Sequence, residues 1–170
     1  MDPNQGTLSS SACEVDIRPA TQSEAGLLSD LAMQAKAHWG YPREVLESWK
    51  PELAVTCESI RTRPIFIAMV DDQVAGFCSL SSSGTTWDLD NLWVSPPFMH
   101  RGIGRALLSR ALDEAVGGGA IEVTVDADPN AEAFYLQRGA VRRGEVPAPI
   151  PGNPDRIRPQ LVFGTRNRVP

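Results

Sequence analysis

The sequence holds few of the residues that build disulfides, metal sites and thiol nucleophiles. Its 170 residues include three cysteines, Cys13, Cys57 and Cys78, and no Cys-x-x-Cys pair. This odd, widely spaced set argues against a disulfide framework and against zinc. A nucleophilic cysteine would need a histidine partner, and only His38 and His100 are available. We therefore expect a reduced, cytoplasmic chain whose thiols are small apolar fillers, with no metal.

Long apolar runs and dense basic clusters are also missing. No run in the sequence approaches the length of a membrane span, and the net charge of −5 comes without a cluster of Lys and Arg. A membrane or nucleic-acid partner is therefore not expected, and the acidic balance favours a cationic ligand. Residues 1–12 are polar and Ser-rich, without a basic start or an apolar stretch, which predicts a flexible tail and no signal peptide. Residues 13–170 are long enough for one domain with its own core.

The pattern of apolar residues predicts an α+β fold in a single domain. A strand over 14–20 precedes two or three helices, and Thr21 followed by Glu24 is typical of a capping box. Three consecutive strands, a helix over 105–116, a strand, a second helix ending at Gly139, and two last strands follow. An early antiparallel meander with later βαβ units predicts a mixed, mostly antiparallel sheet flanked by helices.

The stretch "VSPPFMHRGIGRALL", residues 94–108, places two glycines where a helix begins. The first N–H groups of a helix have no internal acceptor and lie at the positive end of its dipole. Small residues let an anion approach these groups, so Gly102 and Gly104 are typical of a phosphate cradle. A tight turn that simply requires glycine explains the same pair.

Three phosphate-binding patterns compete for this stretch. A P-loop requires Gly-Lys-Ser/Thr, whereas Gly104 is followed by Arg105 and Ala106. A dinucleotide fingerprint requires a third small residue where this chain has Leu107, although Asp126 imitates the acidic ribose ligand. The third pattern is the pyrophosphate loop of an acyltransferase family.

The chain resembles the Gcn5-related N-acetyltransferase (GNAT) superfamily over residues 14–163. "LDNLWVSPPFMHRGIGRALLSRAL" is similar to its acetyl-CoA motif, and "ADPNAEAFYLQRGA" is similar to its second signature, Asn-x-x-Ala-x-x-Phe-Tyr-x-x-x-Gly. Two motifs in the right order on the right elements are more specific than either alone. The chain departs from the family at Met99, where Gln or Arg is usual, and at Ala140, where Phe is usual.

The resemblance implies transfer of an acetyl group from acetyl-CoA to a primary amine within a ternary complex. It implies that backbone N–H groups from Arg101 to Ala106 hold the pyrophosphate, with Arg101 or Arg105 supplying the positive charge that Met99 lacks. It also implies that the pantetheine arm pairs with the edge of the strand at Leu92–Val94, where that strand splays from its neighbour. The expected cofactor-binding residues are Leu92, Trp93, Val94, Arg101, Gly102, Ile103, Gly104, Arg105, Ala106 and Asn130.

The same match assigns chemistry to Tyr135 as the acid that protonates the leaving thiolate, since a phenol stays protonated at neutral pH. Asn130 would contact the cofactor. Each has a plainer explanation, because Tyr135 lies on an apolar helix side and Asn130 is well placed as a helix cap.

The amine must lose a proton, and the family often places a carboxylate on the strand before the loop. Asp88 and Asp90 are candidates, and strand alternation would put both on one face with Leu92 and Val94. Asp90 is the better candidate because it is nearer the cofactor strand. Exposure of both beside a turn is the alternative.

The segment "KAHWGYP", residues 36–42, follows the first helix, and in this superfamily the corresponding segment covers the acceptor site. The resemblance therefore points to His38 and Tyr41 as substrate-binding residues, with Trp39 as core. The Pro-rich loop over 147–159 either closes over the acceptor site or is a surface excursion.

Two other functions remain open on the sequence alone. A binding module could keep acyl-CoA affinity without turnover, and "GIGRAL" could serve a nucleotide-dependent oxidoreductase. A homodimer through edge strands is plausible, and neither the acceptor nor the length of the acyl group can be read from the residues.

Overall fold

The computed structural model describes residues 15–166 as one sheet with helices on both faces. The expected tail over 1–12, together with Cys13, lies outside the described residues. The strands are β1 (Asp16–Pro19), β2 (Ile65–Val70), β3 (Gln73–Ser83), β4 (Thr86–Val94), β5 (Glu122–Asp126), β6 (Val141–Pro147) and β7 (Ile157–Gly164). The helices are α1 (Ala25–Ala37), α2 (Arg43–Leu53), α3 (Cys57–Thr62), α4 (Ile103–Gly117) and α5 (Glu132–Leu136).

The sheet confirms the predicted α+β class and the predicted order of elements. Its strands lie in the order β1-β2-β3-β4-β5-β7-β6, and every neighbouring pair is antiparallel except β4 with β5. The parallel pair requires a crossover, which α4 supplies between the two strands. The chain thus forms an antiparallel meander first and a parallel crossover second.

Local chemistry explains how three of the helices begin. The Glu24 carboxylate accepts a hydrogen bond of 2.8 Å from the Thr21 N–H, as the capping box predicts, and a short 3-10 turn then leads into α1. Helix α4 begins two residues earlier than the apolar pattern predicted, because Gly102 adopts a φ of 83° as its N-cap. Helix α5 is shorter than predicted, because a 3-10 turn at Pro129–Ala131 takes up its first residues.

Two apolar clusters fill the two faces of the sheet. The larger one packs α4 and α5 against the sheet through Leu107, Leu112 and Tyr135, and the smaller one packs α1 through Leu28 and Leu31. Hydrophobic burial of this kind supplies the main driving force for folding. The sheet is therefore covered on both faces.

Gly118 lies at the end of α4 against the core tryptophan Trp87. A Cβ atom on Gly118 would come within 2.2 Å of the Trp87 ring, whereas a Cβ atom on Gly117 would meet nothing within 4 Å. Adjacent glycines thus differ completely in the space around them.

We expect Gly118→Ala to lower the free energy of unfolding by about 1–3 kcal/mol, because the ring or the helix end must shift. Chemical denaturation, with the midpoint followed by tryptophan fluorescence, measures the change. Gly117→Ala is the matched control and should leave the midpoint unchanged or raise it, since alanine is favoured within a helix. Equal effects of the two substitutions would contradict this account of Gly118.

Candidate functional site

A cleft of about 530 Å³ opens where β4 and β5 diverge. The two strands pair only from Thr86↔Glu122 to Asp88↔Thr124, and beyond Asp88 no pairing between them is present in the described chain. The later half of β4 therefore presents an edge to the cleft. The start of α4, the turn after β5 and α5 supply the other walls, and the end of α1 contributes Lys36, His38 and Trp39.

Most of the residues that the sequence assigned to function line this one cleft. They come from four separate segments of the chain. The predicted site residues along its walls are His38, Asp90, Leu92, Trp93, Val94, Gly102, Gly104, Arg105, Asn130 and Tyr135.

A β-bulge at Asp90 changes the faces of β4. Ser79 pairs with Asn91 and the next residue, Leu80, pairs with Leu89, so Asp90 is the extra residue. As a result Leu89 and Leu92 both pack against the larger cluster, and Asp88 lies on the opposite face. The prediction that Asp88 shares a face with Leu92 and Val94 is therefore wrong, because simple alternation stops at a bulge. Asp88 instead accepts a hydrogen bond from the Thr124 hydroxyl.

Asp90 lies at the edge of the cleft, and its side chain is 25% exposed. The Ser81 hydroxyl donates a hydrogen bond of 3.0 Å to it, and the Arg63 guanidinium lies 3.5 Å away. Desolvation outweighs both contacts and raises the pKa of Asp90 above its ordinary value. A carboxylate with a raised pKa is a stronger base than one in water.

The turn before α4 has the backbone form of an anion cradle. His100 and Gly102 both have positive φ, at 61° and 83°. The first bond inside α4 runs from the Ala106 N–H to the Gly102 carbonyl, at 3.0 Å. The N–H of Ala106 therefore already has an acceptor. The amides left for the predicted anion site are those that precede Ala106. Those of Ile103, Gly104 and Arg105 precede the first helical bond and have no acceptor within the helix.

The two glycines of this turn serve different purposes. A Cβ atom at Gly102 would meet nothing within 4 Å, so its glycine suits the positive φ. A Cβ atom at Gly104 would lie 3.2 Å from the Phe134 ring, so its glycine lets α4 approach α5 closely. The Ile103 side chain is buried in the core, and any binding by this residue would use its backbone.

Basic side chains stand near the same end of the cleft. Arg105 and Arg138 line it, and the guanidinium carbon of Arg138 lies over the Phe134 ring, 4.0 Å from the ring centroid. The guanidinium carbon of Arg101 is 5.3 Å from the ring centroid of Phe98. Sequence reasoning did not single out Arg138, which belongs to the second motif and meets α4 only in three dimensions.

Tyr135 reaches the cleft from the core. The residue is 6% exposed, and its ring packs edge-on against that of Phe163, with 6.4 Å between the ring centroids. Desolvation raises the pKa of Tyr135, so the phenol stays protonated across the physiological range. Tyr135 is therefore buried like a core residue and also lines the cleft.

A polar cluster that includes the buried side chains of Lys36 and Arg156 closes the far wall of the cleft, and little in the sequence predicted it. We call it the Asp128 cluster, and it consists of Lys36, Tyr41, Asp128, Asn130 and Arg156. Asp128 accepts hydrogen bonds from the Lys36 ammonium, the Tyr41 hydroxyl at 2.9 Å and the Asn130 N–H at 2.9 Å. The Arg156 guanidinium lies 3.4 Å from the same carboxylate.

Opposing effects act on the two charged groups that meet in this cluster. Burial raises the pKa of Asp128, but hydrogen bonds and charge from Lys36 outweigh it and hold that pKa below its ordinary value. Burial lowers the pKa of Lys36 in spite of its bond to Asp128. The two side chains form a salt bridge in a poorly solvated wall.

Tyr41 and Asn130 are fixed by the same carboxylate. The Asn130 side-chain amide donates to Asp128 at 2.9 Å and to the Tyr41 hydroxyl at 3.1 Å. Tyr41 thus lies behind the cleft wall, whereas His38 lines the cleft. Asp128 also caps the 3-10 turn at Pro129, so Asn130 does not itself act as the predicted cap.

One signal for Lys36 was present in the sequence. Leu28, Ala32 and Lys36 are spaced by four residues, and the first two are fully buried. A lysine that continues a buried row needs a partner. That partner, Asp128, is 92 residues away in the chain.

Within residues 15–166, no group of three or more His, Cys, Asp or Glu side chains is arranged to hold a metal ion. Cys78 is buried, and burial raises the pKa of its thiol to about 12, whereas Cys57 is exposed. No helix of the described chain is long and apolar enough to cross a membrane.

Solved structures with the same fold share little sequence with this chain. An N-acetyltransferase, PaiA of Thermoplasma acidophilum, solved with coenzyme A, is 20% identical with a TM-score of 0.72, over 89% of this chain and 99% of that one. A Gcn5-related N-acetyltransferase of Rhodopseudomonas palustris is 22% identical with a TM-score of 0.73, over 88% and 94%. YncA of Salmonella typhimurium, a putative acetyltransferase solved with acetyl-CoA, is 16% identical with a TM-score of 0.67, over 92% and 97%.

No curated protein sequence matches this chain significantly. The sequence profile described as the acetyltransferase (GNAT) family matches residues 29–140, about two thirds of the chain. That range includes most of α1, the cleft edge of β4, the glycine turn and Tyr135. The chain therefore belongs to the GNAT acetyltransferase family.

Proposed function

We propose that this protein is an acetyl-CoA-dependent N-acetyltransferase that acts on a primary amine. The observation that carries the proposal is the meeting of an open strand edge at Leu92–Val94 with the helix-initiating amides of α4 in a single cleft. Acetyl-CoA carries both an amide-bearing arm and a pyrophosphate, and this pair of backbone features suits both groups. The family, and the coenzyme A and acetyl-CoA in the neighbouring structures, support the same donor.

Binding of the donor would rest on the backbone. The edge of β4 would pair with the amides of the pantetheine arm, as an added strand does. The amides of Ile103, Gly104 and Arg105 would hold the pyrophosphate at the positive end of α4, with Arg105 and Arg138 adding charge. Asn130 has its amide nitrogen committed to Asp128 and Tyr41, so its carbonyl oxygen is left to accept a bond from the donor.

In the reaction, Asp90 would take a proton from the bound ammonium of the acceptor. The neutral amine nitrogen would then attack the thioester carbonyl, so that a C–N bond forms and the C–S bond breaks. Tyr135 would give its phenolic proton to the leaving thiolate. The proton that the acylated nitrogen loses as the amide forms would return the phenolate of Tyr135 to its neutral form. Because burial raises the basicity of a thiolate as it does that of a phenolate, the two groups stay close in proton affinity inside the cleft.

Asp88 takes no part in this proposal. It lies on the other face of β4 and bonds to Thr124, outside the cleft lining. His38, at the end of α1, would border the acceptor, and Tyr41 would act through the Asp128 cluster.

We expect coenzyme A and acetyl-CoA to bind and NAD to give no measurable heat in calorimetric titration. Gly102→Ala should weaken coenzyme A binding, because alanine at a φ of 83° costs about 1–2 kcal/mol and distorts the turn. Gly117→Ala, at the other end of the same helix, is the control and should bind normally. Binding of NAD in place of coenzyme A would favour an oxidoreductase instead.

We expect Tyr135→Phe to lower the transfer rate by about 10²–10⁴-fold, because the ring keeps its packing and only the acidic proton is lost. Thiol release in a panel of amines measures the rate, and calorimetry with acetyl-CoA should give an unchanged affinity. A binding module that lacks turnover is the second candidate function. It predicts no thiol release from the wild type with any amine, and no measurable effect of the substitution.

The rate should rise with pH along an acid limb and then level, because Asp90 must be ionised to accept a proton and burial raises its pKa. The acid limb should therefore lie above the range of an ordinary carboxyl. Asp90→Asn should abolish this limb in a pH–rate profile of kcat/KM. Asp88→Asn is the matched control and should keep the acid limb. If Asp88→Asn lost the limb and Asp90→Asn kept it, the general base would be Asp88, on the other face of β4.

A further inference from the structure

Lys36 places an ammonium group inside an aromatic box on the acceptor side of the cleft. Its Nζ atom lies 5.1 Å from the Tyr41 ring centroid, 4.6 Å from that of Trp49 and 5.8 Å from that of Trp93. With the Asp128 carboxylate, these rings have the composition of a site for a ligand ammonium. The protein's own lysine fills that site.

This part of the wall carries one more cation than carboxylates. Lys36 and Arg156 both contact Asp128, and the Arg156 side chain is 4% exposed. The other two carboxylates along the cleft have cations of their own. Asp126 pairs with Arg158 at 3.0 Å, and Asp90 lies 3.5 Å from Arg63.

Neither cation of the cluster can move away from the wall easily. Lys36 is held by one carboxylate and three ring faces, and Arg156 also donates to the Ala148 carbonyl at 3.1 Å. A fixed charge in a poorly solvated wall acts more strongly on a ligand than one in water. It repels a second ammonium on the acceptor and attracts an anionic group.

We propose that Lys36 is a specificity-determining residue that excludes acceptors with a second ammonium and favours acceptors that carry a carboxylate beside the reacting amine. This inference rests on the proposed amine acetylation and names the class of acceptor for the same cleft. The net charge of the chain led us to expect a cationic ligand, and this inference differs from that expectation. The reason is that the acceptor would contact the charges in the cleft wall, whatever the net charge of the whole surface.

The test uses amines that share a chain and differ only at the far end. We would compare 4-aminobutanoate, 4-aminobutanol and 1,4-diaminobutane, and the corresponding six-carbon set, by thiol release at saturating acetyl-CoA. The wild type should use the carboxylate member at least about tenfold better in kcat/KM than the diamine, after correction for its two equivalent amines. A tenfold ratio is modest for charges separated by a few ångströms in such a wall.

Lys36→Met removes the charge but keeps an unbranched side chain for the aromatic box, and Arg156 remains beside Asp128. The preference should shift toward the diamine by about tenfold or more, with acetyl-CoA affinity unchanged. Lys36→Gln, which keeps a donor for Asp128, is the second variant if the first does not fold. Lys50→Met is the control at the chain's other lysine, which is 54% exposed and pairs with Glu47, and its preference should equal that of the wild type.

Equal kcat/KM values of the wild type for the diamine and the carboxylate member would overturn the inference. So would a Lys36→Met variant in which the two kcat/KM values change by the same factor. Calorimetric binding of the same amines to the coenzyme A complex separates this failure from failure of the proposed function. If no amine is acetylated, the proposed function fails, and the calorimetric affinities of the amines alone test the role of Lys36. A carboxylate preference that disappears in Lys36→Met then supports the role of Lys36, and equal affinities, or no binding by any member, overturn it.

Discussion

The site depends on the divergence of β4 from β5. A parallel pair that continued to Val94 would satisfy the edge of β4 and close the cleft, leaving no backbone for a ligand to pair with. Pairing stops at Asp88, and the bulge at Asp90 lies two residues further on. Because a bulge adds twist and bends a strand, it accounts both for the opening and for the position of Asp90 at its rim.

The Asp128 cluster stabilises the opposite wall by joining distant segments. The end of α1 supplies Lys36, the following turn supplies Tyr41, and the β6–β7 connection supplies Arg156. A carboxylate buried without partners would cost several kcal/mol, and these donors share the stabilisation of Asp128 among them. The Pro-rich connection is thereby tied to this wall of the cleft, and its Ile150 also pairs with Asn153 within the connection.

Sequence reasoning succeeded where one local feature decides the structure. The period of apolar residues predicted the helices and strands in order, and the glycine turn with the Asn-Ala-Phe-Tyr motif predicted which segments would line one cleft. It failed at Asp88, because the extra residue at Asp90 depends on how β3 pairs with β4 and leaves no mark in either strand. It missed Asp128, which reads locally as an ordinary cap before Pro129.

The sequence by itself determined the class of fold, the family and the glycine turn before α4, because each follows from the spacing of residues along the chain. Only the tertiary structure decided which aspartate faces the cleft and which charged side chains lie in its wall. Those outcomes depend on burial and on partners up to 115 residues apart, such as Tyr41 and Arg156. Such partners are set by the packing of the whole sheet and its helices.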